Sequence, residues 1–205
     1  MRGRKQPVKE MPQEHVVALT VLGIAFVIGG VIGCLIAFQV GQDNETLLSF
    51  LQSYLNAAKN GDVQAPNLML VLWKAIRFPV LAMILGFTAL GIAGMPALFL
   101  VRGFLFSFSV TCFVVLYGGR GAIAALLLLG LSSVVTIPVL FIVGTQGMTA
   151  SRKLLSRYLS GRREHPIYTR PYFLRWGICA IVMGICIALD YTILPKLIQL
   201  LASVI

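Results

Sequence analysis

Charge is missing from four long stretches of this chain, Val16–Val40, Phe78–Val101, Gly103–Tyr117 and Gly121–Thr149, and from Trp176–Leu189 just before Asp190. A helix needs about 20 apolar residues to cross the roughly 30 Å hydrocarbon core of a bilayer. Inside lipid, backbone polar groups find partners only within a helix or a closed barrel. The spacing therefore predicts an all-α, polytopic integral membrane protein with about five transmembrane helices. They fall at residues 16–40, 78–94, 96–117, 121–148 and 174–194, in a single membrane domain covering 1–205.

Composition excludes the soluble alternatives. Of 205 residues, 58% are apolar and only 12% charged, with a mean hydropathy of +0.90. Soluble domains carry about 25% charged residues. The net charge of +10 does not point to nucleic acid, because its distribution is that of a membrane protein. Lysine and arginine concentrate in cytoplasmic loops. With the N-terminus inside and the C-terminus outside, residues 1–15, Arg102 and the 151–175 region carry twelve basic and three acidic residues. The opposite side holds Lys59, Lys74, Arg77, Arg120 and Lys196 against Asp43, Glu45, Asp62 and Asp190.

Within the first span, Val31-Ile32-Gly33-Cys34 has the form of a lipoprotein cleavage box, but Leu35-Ile36-Ala37-Phe38 follow where a lipoprotein turns polar. A retained helix is expected. Cys34, Cys112, Cys179 and Cys186 all lie inside spans and read as small apolar core residues. Gly29 and Gly33 form a small-xxx-small pair, as do Ala82 and Gly86, Ala180 and Gly184, and Gly184 and Ala188. Such pairs let helix backbones approach closely. Packing within the bundle is favoured over dimerisation.

Residues 43–77 form the sizeable external segment. Leu47, Leu51, Tyr54, Leu55 and Ala58 recur at helical spacing with Gln52, Ser53, Asn56 and Lys59 opposite, and a second helix follows Pro66 with Leu68, Leu72 and Trp73 on one side. These helices either lie on the lipid or present a docking surface. Spans two and three form a tight hairpin whose turn falls at Gly91–Pro96 or at Arg102-Gly103. If Pro96 opens span three, Arg102 lies about 9 Å along the helix and snorkels to cytoplasmic water. Gly118-Gly119-Arg120-Gly121 reads as a short external turn. Pro138 is expected to bend span four, with Ser132, Ser133 and Thr136 satisfying the freed carbonyls. The basic cytoplasmic loop, 151–173, starts as a helix through Leu154, Leu155 and Tyr158, and Pro166 and Pro171 mark an extended turn. Its basic residues attract anionic lipid at the cytoplasmic face, worth about 1 kcal/mol each.

Residues that could carry catalysis are absent from the pattern. Asp43 and Glu45 stand two apart and do not share a helix face. Asp190 reads as an interfacial ion-pair partner of Lys196, ahead of a proton relay. His15 and His165 have no cysteine or second histidine at ligand spacing. No nucleophile elbow, phosphate loop or His-Glu-x-x-His helix occurs. The expectation is no enzyme activity, no cofactor and no metal.

The run Leu85-Gly86-Phe87-Thr88-Ala89-Leu90-Gly91-Ile92-Ala93-Gly94-Met95-Pro96, followed by Val101-Arg102-Gly103-Phe104 and Phe106-Ser107-Phe108-Ser109-Val110, resembles the stage II sporulation protein M family. The family motif, a glycine-and-proline hairpin before an arginine-glycine-phenylalanine step, falls on Gly91, Gly94, Pro96, Arg102, Gly103 and Phe104. Ser107 departs from it, standing where the family often has glycine. The resemblance implies a scaffold in the mother-cell membrane during engulfment in endospore formation. It implies partners that degrade peptidoglycan at the septum, stage II sporulation proteins P and D. Candidate contacts with a partner are Leu51, Tyr54, Leu55 and Trp73. The alternative is a membrane subunit of a transporter or exporter, with the span-four kink, Arg102 and Asp190 as working parts.

Overall fold

Helix is the regular structure throughout the described residues, as hydrocarbon surroundings demand of a backbone that has no other partner. The computed structural model describes residues 13–43, 49, 68–160 and 170–202. In chain order the elements are α1 (Gln13–Asp43), α2 (Leu68–Gly86), α3 (Gly91–Ala125), a π-helical turn (Leu126–Gly130), α4 (Leu131–Ser160) and α5 (Arg170–Ala202). The expected amphipathic helix around Leu47–Ala58 lies outside the described residues.

Helix α1 shows why the fold belongs in lipid. Its buried positions are Ala18, Leu22, Ala25, Gly29, Gly33 and Ala37, a narrow seam at helical spacing. Around the rest of the cylinder Val17, Ile24, Val27, Val31, Leu35 and Phe38 are exposed. An exposed apolar surface of this extent is untenable in water and ordinary against acyl chains. Three segments are long and apolar enough to cross a membrane: Gln13–Val40, Gly91–Val115 and Ser133–Leu159. Ile76–Gly86 and Leu174–Ala188 are shorter apolar helices, so within the described residues three of the five expected spans reach crossing length.

Contacts along the helices fix their relative directions. Phe26 meets Gly103, Gly30 faces Ser107, and Thr111 hydrogen-bonds Cys34, so α1 and α3 run parallel. Glu14 pairs with Lys153 while Phe26 packs on Phe141, so α4 runs opposite to α1. Ala82 and Gly86 lie by Gly147, and Thr88 by Ser151, so α2 and α4 run the same way. The charge of Arg175 acts on His15, together with that of Lys153. The start of α5 therefore lies toward the same end of the bundle as the start of α1 and the end of α4. Successive helices alternate in direction, and one end of the bundle collects Arg152, Lys153, Arg157 and Arg175.

The centre is built by Leu22, Met95, Phe99, Leu140 and Val143, each at most 2% exposed. The Phe99 and Phe141 rings meet edge to face with centroids 4.8 Å apart, and Phe26 approaches Phe141 from the other side at 5.8 Å. Gly144 leaves the space that Phe99 and Leu22 fill. Helix α4 is the most enclosed of the spans, and two of its buried hydroxyls are bonded within the helix. Thr145 Oγ1 donates to the Phe141 carbonyl at 2.9 Å, and Thr149 Oγ1 to that of Thr145 at 2.8 Å.

Several expected boundaries move. Span two is not 78–94: α2 begins at Leu68 and ends at Gly86, so residues 68–77 of the supposed external segment belong to the same helix as the span. Pro79 is accommodated inside it. The hairpin turns at Phe87–Leu90, ahead of both expected places. Gly91 therefore opens α3, and Pro96 lies inside the helix instead of starting it at residue 96. A proline there leaves one carbonyl of the preceding turn without its helical donor. The expected turn at Gly118–Gly121 is present: Gly118 leaves the helical region (φ 57°, ψ −136°), a left-handed conformation that glycine enters without a Cβ penalty, and Gly121 folds back against the Phe113 backbone. Helix resumes on the far side of the reversal and leads into α4. Span four also carries a π turn at Leu126–Gly130, and Pro138 lies inside α4. As expected, α4 carries the chain out through Tyr158, to Ser160. Pro171 falls in the first turn of α5, where its missing N–H is no loss, so it marks a helix start and not an extended turn.

Candidate functional site

The motif residues fall on two structural devices, a self-capped turn and a close helix seam. In the turn, Phe87 N–H donates to the Met83 and Ile84 carbonyls, each at 3.2 Å, and Thr88 N–H and Oγ1 donate to the Leu85 carbonyl at 3.1 and 3.0 Å. Gly91 N–H returns to the Thr88 carbonyl at 3.2 Å, and Gly94 N–H to that of Leu90 at 2.9 Å. A further donor comes from α4: Ser151, fully buried, aims its hydroxyl at the carbonyl oxygens of Thr88 (2.7 Å) and Ala89 (3.2 Å). Glycine is required at 91, because a Cβ would run into the Leu85 carbonyl and lie 2.9 Å from Ser151 Oγ. Gly94 makes room in the same way for the Leu85 side chain.

The arginine-glycine-phenylalanine step sits at the middle of α3. Gly103 abuts the Phe26 backbone, while Gly29 and Gly33 of α1 abut the backbones of Leu100 and Phe104. Small residues on both helices thus bring α1 and α3 into backbone contact. The Phe104 ring stacks on Phe108 with centroids 5.7 Å apart. Of the other small-residue pairs, Ala82 and Gly86 receive Gly147, whereas a Cβ added at Gly184 would meet nothing within 4 Å among the described residues.

Arg102 is deeper than the sequence led us to expect. Because α3 starts at Gly91, Arg102 lies eleven residues in, about 17 Å by helical rise, near the middle of the Gly91–Val115 span. Its guanidinium lies over the Phe78 ring at 5.1 Å, and Arg77 lies over the same ring at 4.9 Å. Arg102 Nε is buried without a hydrogen-bond partner. A stacked ring returns about 0.5–2 kcal/mol to a cation, against at least about 2.5–3.5 kcal/mol for an arginine at a bilayer centre. The ring alone does not offset that cost.

Trp73, the one candidate contact within the described residues, is 67% exposed on α2. Leu51, Tyr54 and Leu55 lie outside them, as do the side chains of Asp190 and Lys196. The structure joins Gly103 and Phe104 to the α1 seam, Arg102 to Phe78 of α2, and Gly91 and Gly94 to the turn, without bringing any of them to Trp73. Sequence reasoning missed Ser151, which looks like the first residue of a loop, and missed Phe78, whose aromatic face beside Arg77 was the available signal. Three of the cysteines are buried, but Cys34 is exposed on α1, contrary to its reading as core. Among the described residues, no three His, Cys, Asp or Glu side chains gather as a metal would need.

A family model described as Stage II sporulation protein M matches residues 22–189, from α1 into α5, and takes in every residue of the turn and of the arginine step. No curated protein and no solved structure matches the chain.

Proposed function

Because the chain belongs to the stage II sporulation protein M family, we propose that it acts as a five-span membrane scaffold for engulfment during endospore formation. As a family member it is a sporulation-related membrane protein with an all-helical fold. In the proposed role it has no enzyme activity, and its N-terminus and basic bundle end face the cytoplasm, against anionic lipid. It holds peptidoglycan-degrading partners, stage II sporulation proteins P and D, at the septal membrane of the mother cell. The family match over most of the chain is the observation that carries this reading.

The physical mechanism is confinement. Tethering a hydrolase to a membrane component converts an encounter in solution into one at high effective concentration. A scaffold needs a rigid body and an accessible face. The backbone-contact seam of α1 and α3 and the capped turn supply the first, and exposed Trp73 supports the second. The hydroxyls of Thr145 and Thr149, each within bonding distance of a carbonyl of their own helix, support a scaffold over a transport path.

Deletion of the gene in its endospore-forming host, followed with membrane and wall dyes, tests the role. Arrest of the migrating membrane at a flat or bulged septum is the expected result, and normal spores would remove the proposal. Polar substitution of Leu51, Tyr54, Leu55 or Trp73 should scatter a fluorescent partner fusion while the scaffold stays in the membrane. An unchanged septal focus would exclude that surface.

A further inference from the structure

Two guanidinium groups share one phenyl ring level with the middle of the Gly91–Val115 span, and among the described residues no carboxylate forms an ion pair with either. The two charges act on each other. Arg102 is enclosed, with its Nε lacking a partner, whereas Arg77 is exposed. Cations kept at this depth pair with an anion or mark a functional path. The site therefore calls for an anionic group, and its position decides the source.

A lipid phosphate sits at the headgroup level, about 15 Å from the bilayer centre. A free anion would have to enter hydrocarbon to arrive. A carboxylate carried on a second membrane helix is delivered at the matching depth by the helix itself. The surface around Arg77 has the form such a helix needs. Trp73, Arg77, Val80 and Ile84 are exposed along α2 at i, i+4, i+7 and i+11, one stripe of the cylinder. Beside it lies an apolar groove of about 270 Å³ between α2, α4 and α5, lined by Val80, Met83, Trp176 and Met183.

We propose that Arg102 and Arg77 are the charge-reading centre of a helix-docking face on α2, which takes a partner membrane helix carrying one aspartate or glutamate near its middle. This rests on the scaffold reading and gives it an intramembrane recognition site. Arg102, enclosed and held over Phe78, supplies the fixed charge. Arg77 closes on the carboxylate from the open side, and the apolar stripe supplies packing without charge.

The test uses the full chain in phosphatidylcholine nanodiscs, with a donor fluorophore, and a synthetic acceptor-labelled leucine helix of about 20 residues. The peptide carries a central Glu, Gln or Leu, or a Glu moved two turns toward one end. The central-Glu peptide should associate about tenfold more strongly than the Leu peptide, a difference of about 1.4 kcal/mol. Moving the Glu, or introducing Arg102→Gln, should abolish the preference, and Arg77→Gln should weaken it. The peptide series on the unaltered protein keeps the test valid if Arg102→Gln fails to fold. Equal binding of all peptides overturns the proposal. So does loss of the Glu preference when phosphatidylglycerol is added, which would assign the site to lipid phosphate. Arg102-dependent energy transfer between two copies of the chain without any peptide preference overturns it in favour of self-association. Peptide failure alongside arrested engulfment in the deletion strain would remove this site and leave the scaffold role standing.

Discussion

Replacing Gly29 with alanine tests whether backbone contact between α1 and α3 holds this bundle together. A Cβ at position 29 would lie 2.7 Å from the Leu100 carbonyl carbon and 2.9 Å from its Cα, and closer still to its oxygen. Carbon atoms pack best at about 3.5–4.0 Å, so the helices would have to separate by roughly 1 Å. A gap of that size forfeits a quarter to a half of each dispersion contact along the seam. Lipid provides no hydrophobic term to compensate, because acyl chains are as apolar as the helix surface. Overpacking typically costs about 1–3 kcal/mol, and Gly29→Ala should fall in that range. Gly23 is an internal control on the same helix, because a Cβ there meets nothing within 4 Å. Gly23→Ala should change stability by no more than about 0.5 kcal/mol. Gly103→Ala, which meets the Phe26 backbone on the other side of the seam, should cost as much as Gly29→Ala. The pair together should cost less than the sum, since the first substitution has already parted the helices. Reversible unfolding of the purified chain in mixed micelles, followed by far-UV circular dichroism, reads all four variants. Equal losses for Gly23→Ala and Gly29→Ala would refute the argument.

Ser151→Ala removes the donor to two turn carbonyls and should cost about 1–3 kcal/mol in the same unfolding assay. Amide exchange at Gly91 should speed up with it, and unchanged exchange would show that the turn stands without α4. Phe99→Ala opens a hole against Phe141 and Gly144 and should cost about 3–5 kcal/mol, whereas Leu90→Ala, at a residue 76% exposed, should be near neutral. Lys153→Gln breaks a pair whose side chains are 50% and 59% exposed, and stability should drop by less than about 1 kcal/mol.

The hydrophobic runs made the helices and their solvent legible, because 3.6-residue spacing and span length follow from backbone bonding alone. The Gly29–Gly33 pair also announced its use, and the continuation of α4 beyond Thr149 was visible in Leu154, Leu155 and Tyr158. The α2–α3 turn was not. Phe87-Thr88-Ala89-Leu90 has neither glycine nor proline, while both stand a few residues later and drew the expectation to Gly91–Pro96. The turn is bonded to a hydroxyl of α4 sixty-three residues away in sequence, a contact that no local pattern announces. Gly184 shows the converse error, a small-residue spacing that no described helix uses for close packing.

Local sequence, then, determined that this chain is helical, lives in lipid and gathers its cations at one end, since transfer energies and backbone hydrogen bonding act residue by residue. Tertiary structure decided which small residues touch, where α2 stops, and that Arg77 and Arg102 converge on the Phe78 ring. Those outcomes depend on which faces of different helices meet, and no periodicity within one helix encodes the rotation of its neighbour.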